Sequence, residues 1–217
     1  MKRFFAMLCM AAMAVSLLTG CKDKGEDSAQ EEPTATPAPT AAEDETGSED
    51  LLSGIHHATI EVENYGTITL ELDADTAPIT VTNFVNLANE GFYDGLTFHR
   101  IMSGFMMQGG DPQANGTGGS DEKIKGEFSN NGVENDISHL RGTISMARSK
   151  NNDSASSQFF IVHQDSTFLD GDYAAFGKVT EGMEVVDTIC ASAKPIDDNG
   201  TIVRDQQPII KKITILD

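Results

Sequence analysis

The sequence predicts a mainly β domain, closed or sandwiched, because it contains many short strand patterns and only two helical ones. The first observation is a pair of alternating apolar and polar segments, at residues 59–63 and 67–72, around a short turn. The second is a series of short β-branched and aromatic segments further along the chain. The third is that helical periodicity occurs only after Pro78 and after Met183.

The two alternating segments predict a β-hairpin. Ile60 and Val62 alternate with polar residues before the turn, and Ile68, Leu70 and Leu72 alternate with polar residues after it. The turn between them contains Asn and Gly. Period-2 segments around such a turn are typical of a hairpin with one buried face.

Two helices and further strands complete the predicted domain. The first helix begins at Pro78, which suits a first turn, and its apolar i, i+3, i+4, i+7 spacing ends at Gly91. The second covers Met183–Ala191, with one apolar face. Further strands are predicted at Gly142–Met146, Gln158–Val162, Ala175–Val179 and Ile209–Leu216.

Residues 1–20 resemble a bacterial lipoprotein signal peptide. A positive start precedes an apolar run over residues 4–18, which is shorter than the ~20 residues of a spanning helix. The run closes on the motif Leu18–Cys21, which is similar to a lipobox. The resemblance implies cleavage before Cys21 and its acylation, with palmitate among the chains, so that the protein is exported and lipid-anchored to the bacterial cell membrane. An ordinary signal peptide is the alternative.

Residues 21–53 are predicted to be the lipidated cysteine followed by a disordered linker. The segment is rich in Pro, Thr and Ala, and its acidic residues far outnumber its lysines, so it cannot bury enough apolar surface to fold. A charged, proline-containing chain is extended. We therefore expect the linker to hold the folded domain, residues 54–217, away from the membrane.

Composition excludes several classes of function. The formal net charge of −19 argues against nucleic acid as a partner, because phosphate binding needs a basic surface. Three cysteines are too few for a disulfide framework. The histidines lack the spacing of a zinc site, and the glycine-rich stretch 115–120 lacks the context of a phosphate loop. We expect no metal and no cofactor, and a monomer.

Three dense segments carry a family resemblance. They are FHRIMSGFMMQGG at 98–110, SMAR with SQFFI at 145–161, and LDG with FGKV at 169–179, with GTGG at 116–119 between the first two. In order and spacing they resemble the cyclophilin family from about His57 to Asp217. The resemblance implies an eight-stranded closed antiparallel β-barrel capped by two α-helices. It also implies peptidyl-prolyl cis/trans isomerase activity on proline-containing polypeptides, in a groove on the outer face of the barrel.

The resemblance also assigns site residues. Arg100 matches the catalytic arginine of the family, and Gln108 matches the glutamine that supports it. Phe168 and Tyr173 stand where many members have tryptophan and histidine; both keep an aromatic surface, so turnover should survive, whereas tight cyclosporin binding is in doubt. The complete substrate-binding set implied is Phe105, Met106, Ala147, Arg148, Gln158, Phe160, Phe168, Leu169 and Tyr173.

Other functions fit the sequence less well. A lipid-anchored peptide-binding chaperone module would keep the groove but would not need the fork of donors on Arg100. A lipoprotein receptor for a nutrient or metal would need ligand clusters or a two-domain cleft, and the sequence predicts neither. An intracellular isomerase is contradicted by the N-terminal signal. Together, the family resemblance and the export signal imply a role in the folding of exported proteins.

Overall fold

The computed structural model describes residues 51–217. The predicted signal segment 1–20, the lipid site at Cys21 and the linker up to residue 50 lie outside the described residues. Within the described range, no helix is both long enough and apolar enough to span a bilayer. Contacts with the hydrophobic core begin at Leu52, just before the predicted domain boundary at residue 54. The backbone N–H of Leu52 also donates to Thr82 Oγ1 at 2.9 Å.

Residues 51–217 form eight β-strands and two α-helices. The helices are α1 (Pro78–Asn89) and α2 (Met183–Ser192). The strands are β1 (Ile55–Val62), β2 (Gly66–Asp73), β3 (Phe98–Met102), β4 (Met106–Gly109), β5 (Thr143–Met146), β6 (Phe159–Val162), β7 (Ala175–Glu181) and β8 (Ile210–Ile215).

All eight strands belong to one antiparallel sheet with the order β3-β4-β6-β5-β7-β2-β1-β8. The predicted hairpin is confirmed, because Ile60 pairs with Ile68 and both are fully buried. The sheet forms a half-barrel, and the closed barrel that the resemblance implied is not confirmed. Between the edge strands β3 and β8 there is an isolated bridge, Thr97 to Ile209, instead of a continuous ladder.

Both predicted helices are confirmed. Helix α1 buries Val81, Phe84 and Val85 against the sheet, at the spacing that predicted it. Its N-terminus is capped from a distant loop by the buried Glu127. Orphan N–H groups at a helix start need such acceptors.

The core is built around a group of aromatic rings. Phe84 of α1 lies 5.3 Å from the ring of Tyr93, 5.3 Å from that of Phe176 and 5.5 Å from that of Phe159, measured between centroids. All four side chains are fully buried. These rings pack against one another in the hydrophobic core between the sheet and helix α1.

A second, smaller apolar cluster lies on the opposite face of β4 and β6. Successive strand residues point to opposite sides of a sheet. Phe159 therefore enters the core while Phe160 faces outward, and Met107 enters the core while Met106 faces outward. The members of this outer cluster are Met106, Phe160, Val162 and Leu169, with Met102, Phe105, Ala147 and Tyr173 packed against them.

Candidate active site

Arg100 lies on β3 directly opposite Gln108 on β4. Its Nη1 donates to Gln108 Oε1 at 3.1 Å, and its Nε donates to the carbonyl oxygen of Asn199 at 2.7 Å. Its Nη2 lies 3.3 Å from Met102 Sδ. Burial lowers the pKa of the Arg100 guanidinium, but the ordinary pKa of arginine lies so far above neutral that the group stays charged.

Gln108 is itself held by a line of amide groups. Its Nε2 donates to Gln158 Oε1 at 2.8 Å, and Gln158 Nε2 donates to the carbonyl oxygen of Gly118 at 2.7 Å. Each side-chain amide therefore accepts a hydrogen bond at its oxygen and donates one from its nitrogen. This direction leaves Gln108 Oε1 turned toward Arg100, where it accepts from the guanidinium.

The outer apolar cluster forms the floor of an open cavity of about 360 Å³ beside Arg100. Phe160 and Met106 are almost fully buried beneath it, and Tyr173 meets the Phe160 ring edge-on at 5.9 Å. Of the predicted residues, the cavity is lined by Arg100, Phe105, Met106, Gln108, Ala147, Arg148, Phe160, Leu169 and Tyr173. The structure thus brings together side chains from five separate segments of the chain.

Arg148 stabilises the rim of the cavity. Its guanidinium lies 4.8 Å from the centroid of the Tyr173 ring and 5.0 Å from that of Phe128, in the range of cation–π contacts. Its Nε also donates to the carbonyl oxygen of Asp172 at 2.8 Å. The side chain therefore fixes the segment that carries Tyr173.

Two predicted residues lie beside the cavity and do not line it. Gln158 lines an adjoining depression of about 280 Å³, from where it supports Gln108. Phe168 is 72% exposed, and its ring packs 5.6 Å from that of Phe105. It has this position because it occupies a one-turn 3-10 helix, Thr167–Leu169, whose buried residue is Leu169. Phe168 thus extends the aromatic surface outside the cavity.

The loop after β4 is organised by Asp111. This fully buried carboxylate accepts backbone hydrogen bonds from Gln113 at 2.8 Å, Asn115 at 3.0 Å and Gly116 at 2.6 Å. Burial alone would raise the pKa of Asp111, but these hydrogen bonds outweigh it and hold the pKa below its ordinary value. A side chain at Gly118 would overlap Asp111 Oδ1, so glycine permits this close approach.

Several residues of the cavity were not predicted from the sequence. His99, Asn115, Asn199 and Thr201 line it. His99 is 3% exposed, and burial lowers its pKa; among the described residues neither ring nitrogen has a hydrogen-bond partner. The position of His99 beside Arg100 in the motif was a usable signal. No signal in the sequence indicated that the turn at residues 199–201 approaches β3.

Comparison with known proteins agrees with this geometry. The family described as cyclophilin type peptidyl-prolyl cis-trans isomerase matches residues 57–216. The chain belongs to the cyclophilin family. Residues 57–216 include every strand that contributes to the site, so the family match and the cavity concern the same domain.

Several relatives of this cyclophilin bear the same description. A peptidyl-prolyl cis-trans isomerase of Helicobacter pylori (strain J99) is 47% identical over 143 residues, which are 65% of this chain and 85% of the relative. Peptidyl-prolyl cis-trans isomerase B of Bacillus subtilis is 49% identical over 123 residues, 57% of this chain and 82% of the relative.

Solved structures resemble the cyclophilin domain as well. The crystal structure of a cyclophilin type peptidyl-prolyl cis-trans isomerase of Cryptosporidium parvum has a TM-score of 0.67 at 30% identity, covering 76% of this chain and 99% of the other. A second crystal structure of that protein, in the presence of the dipeptide Ala-Pro, has a TM-score of 0.66 at 31% identity, covering 74% and 99%. Family membership and these relatives support peptidyl-prolyl cis-trans isomerase activity.

Proposed function

We propose that this cyclophilin accelerates the rotation of X–Pro bonds in exported polypeptides, with Arg100 as the catalytic residue. The observation that carries the proposal is the position of the Arg100 guanidinium, which is fixed by Asn199 and Gln108 at the edge of a cavity with an apolar floor. A fixed cation beside an apolar floor is suited to an X–Pro segment, because the floor can take the apolar proline ring while the cation donates to the polar amide.

The chemistry of the reaction explains the arginine. An X–Pro bond rotates over a barrier of about 18–20 kcal/mol because rotation breaks the amide resonance. In the twisted state the proline nitrogen gains a usable lone pair and the carbonyl oxygen is displaced. Arg100 can donate to either atom, and only a contact that is stronger in the twisted state than in the planar state accelerates the reaction.

The cavity supplies the complementary part of the mechanism. The floor formed by Phe160, Met106 and Leu169 would take the proline ring and exclude water. Water favours the planar, charge-separated amide, so its exclusion favours the twisted form. The neighbouring crystal structure obtained in the presence of Ala-Pro supports a proline-containing ligand.

A paired assay separates catalysis from peptide binding. The full chain should accelerate both the isomerisation of an Ala-Pro peptide and the proline-limited refolding of a separate protein. A peptide-binding chaperone module would suppress aggregation of the refolding protein without changing either rate. Binding of the peptide with no acceleration would contradict the proposed catalysis.

We further propose that the protein is lipid-anchored through Cys21. The support is the Leu18–Cys21 motif behind an apolar run, together with the acidic segment that follows. In a bacterial host, the full chain should partition with membranes, and Cys21→Ser should release it. Cys9→Ser is the matched control, because Cys9 lies inside the apolar run. Release by Cys9→Ser, or retention of Cys21→Ser, would contradict the anchor.

We also propose that the half-barrel closes in solution between β3 and β8. A separate proposal is that the protein is a monomer. Ile210 N–H donates to the Leu96 carbonyl at 2.7 Å, and Phe98 N–H donates to the Pro208 carbonyl at 2.9 Å, on either side of the Thr97–Ile209 bridge. Amide hydrogen exchange should show protection at Ile210 and Phe98 comparable to that in β1. Sedimentation should give the mass of one chain.

A further inference from the structure

A line of three polar side chains lies behind the floor of the cavity beside Arg100. His139 Nδ1 is 2.8 Å from Asp170 Oδ1, and His139 Nε2 is 3.0 Å from Ser145 Oγ. His139 and Ser145 are fully buried. The consistent arrangement for a neutral ring is that Nδ1–H donates to the carboxylate while Nε2 accepts from the Ser145 hydroxyl.

The order Asp, His, Ser is also that of a hydrolytic triad, but access excludes hydrolysis here. A nucleophile must reach its substrate, and the Ser145 side chain is sealed beneath the sheet surface with 0% exposure. Within residues 51–217, the lining of the cavity includes none of the three side chains. Their effect on a substrate must therefore pass through the residues that they contact.

Those contacts lead to the floor and the wall of the cavity. The His139 ring stacks on Phe160, with centroids 6.0 Å apart and planes inclined by 16°, and it meets Tyr173 edge-on at 6.5 Å. Ser145 pairs with Phe160 across β5 and β6. Asp170 directly follows the floor residue Leu169 and also accepts from the backbone N–H of His139 at 2.7 Å.

We propose that Asp170, His139 and Ser145 form a positioning relay that holds the Phe160 floor and the Tyr173 wall in the geometry that receives the proline ring. The proposal rests on the isomerase function proposed above. The relay connects β5 to the segment after Leu169 through one imidazole. Loss of any member should loosen the Phe160 and Tyr173 rings, which would then keep only their direct edge-on contact.

The relay should also give the enzyme an acid limb in its pH profile. The groups facing His139 are the Asp170 carboxylate, the Ser145 hydroxyl and the rings of Phe160 and Tyr173, and the charged Arg148 lies beyond Tyr173. Protonation would make Nε2 a donor and reverse its hydrogen bond to Ser145. Burial lowers the pKa of His139, with Asp170 opposing it, so the neutral relay persists at neutral pH.

The test is a double-mutant cycle on the full chain with His139→Phe and Ser145→Ala. Two quantities are measured: kcat/KM for an Ala-Pro peptide, and the affinity for that peptide from chemical-shift titration. We expect each substitution to lower both quantities by about threefold to thirtyfold. The double variant should have kcat/KM and affinity no lower than those of the more impaired single variant. Ser145→Ala removes one hydroxyl, so it decides the question even where His139→Phe does not fold.

The pH profile distinguishes the relay from simple packing. Between about pH 5 and pH 8, wild-type kcat/KM should fall on the acid side, and Asp170→Asn should move the part of that fall that His139 contributes to lower pH, because the carboxylate favours the imidazolium. His56→Gln, on the distant strand β1, should leave the profile unchanged. Wild-type kcat/KM and affinity in Ser145→Ala, or penalties that multiply in the double variant, would overturn the relay. A wild type without turnover would instead contradict the proposed function, and the peptide affinities would still decide the relay.

Discussion

Arg100 and Gln108 are cross-strand partners, and the hydrogen bond between Nη1 and Oε1 is 3.1 Å long. The register of a strand pair is set by the tight turn after Met102, so the position of the guanidinium is fixed by backbone pairing as well as by its own side-chain contacts. A cation held in this way needs little reorganisation when a ligand arrives.

Removal of that cation should abolish most of the catalysis. We expect Arg100→Ala to lower kcat/KM for an Ala-Pro peptide by more than about tenfold, which corresponds to at least about 1.4 kcal/mol of transition-state stabilisation. Arg100→Lys should recover little, because one ammonium cannot replace the fork that reaches Asn199 and Gln108. Lys211→Ala, which removes a cation on β8, is the control and should be neutral. Wild-type turnover of Arg100→Ala would rule out this assignment.

The glycine-rich loop should depend on Asp111. Asp111→Ala releases the backbone N–H groups of Gln113, Asn115 and Gly116, and Asn115 and Gly116 line the cavity. We expect peptide affinity to fall severalfold and the free energy of unfolding to drop by about 1–3 kcal/mol, since buried hydrogen bonds lose their acceptor. Titration calorimetry and urea unfolding measure the two effects. Asp121→Ala, at an exposed position, should change neither.

The start of α1 should depend on Glu127. Its carboxylate, which is 2% exposed, accepts from the backbone N–H of Ile79 at 3.0 Å and of Thr80 at 2.7 Å. Glu127→Ala should lower the free energy of unfolding by about 1–3 kcal/mol, because both donors lose their acceptor and a negative charge leaves the helix N-terminus. Glu134→Ala, an exposed acid nearby in sequence, should be neutral. Equal melting temperatures for the two variants would contradict this role.

Two buried histidines should make the domain less stable in mild acid. Burial lowers the pKa of both His99 and His139 below the ordinary 6.5. The unfolded chain therefore binds protons more readily than the folded one, so the stability is fully present above pH 6.5 and is lost as the pH falls toward the folded pKa values. Asp111 and Asp170, whose pKa values lie below 3.8, lose their contribution only in stronger acid. Urea unfolding at several pH values should show the first loss below pH 6.5, and a flat profile there would contradict it.

The elements with a clear period could be predicted from the sequence. The hairpin of β1 and β2 has strict alternation, and α1 has both a proline start and helical spacing, so local pattern and final packing agree. The strands β3 and β4 carry apolar residues on both faces, because Phe98, Ile101 and Met107 enter the core while Met102 and Met106 join the outer cluster. A clear apolar–polar alternation is therefore missing, and only the family resemblance implied the complete set of eight strands.

The site was predictable where it lies within the motifs and not elsewhere. Arg100 and Gln108 are close in sequence and their match to the family placed both. Asn199 approaches Arg100 from the far end of the chain, through a turn whose geometry depends on the finished sheet. His139 has no zinc-site spacing in the sequence, and neither its stacking on Phe160 nor its contact with Asp170 is encoded in local sequence.

The contact between Arg100 and Met102 should make turnover sensitive to oxidants. Met102 is half-buried, and its thioether sulfur lies 3.3 Å from Nη2. Oxidation to the sulfoxide would replace a weak acceptor by a strong dipole, which would hold the guanidinium away from a substrate. Peroxide treatment should therefore lower turnover, and methionine sulfoxide reductase should restore it. Met102→Leu should resist the loss of turnover, because leucine has no sulfur to oxidise. A reversible change at one methionine sulfur should therefore make turnover sensitive to redox conditions.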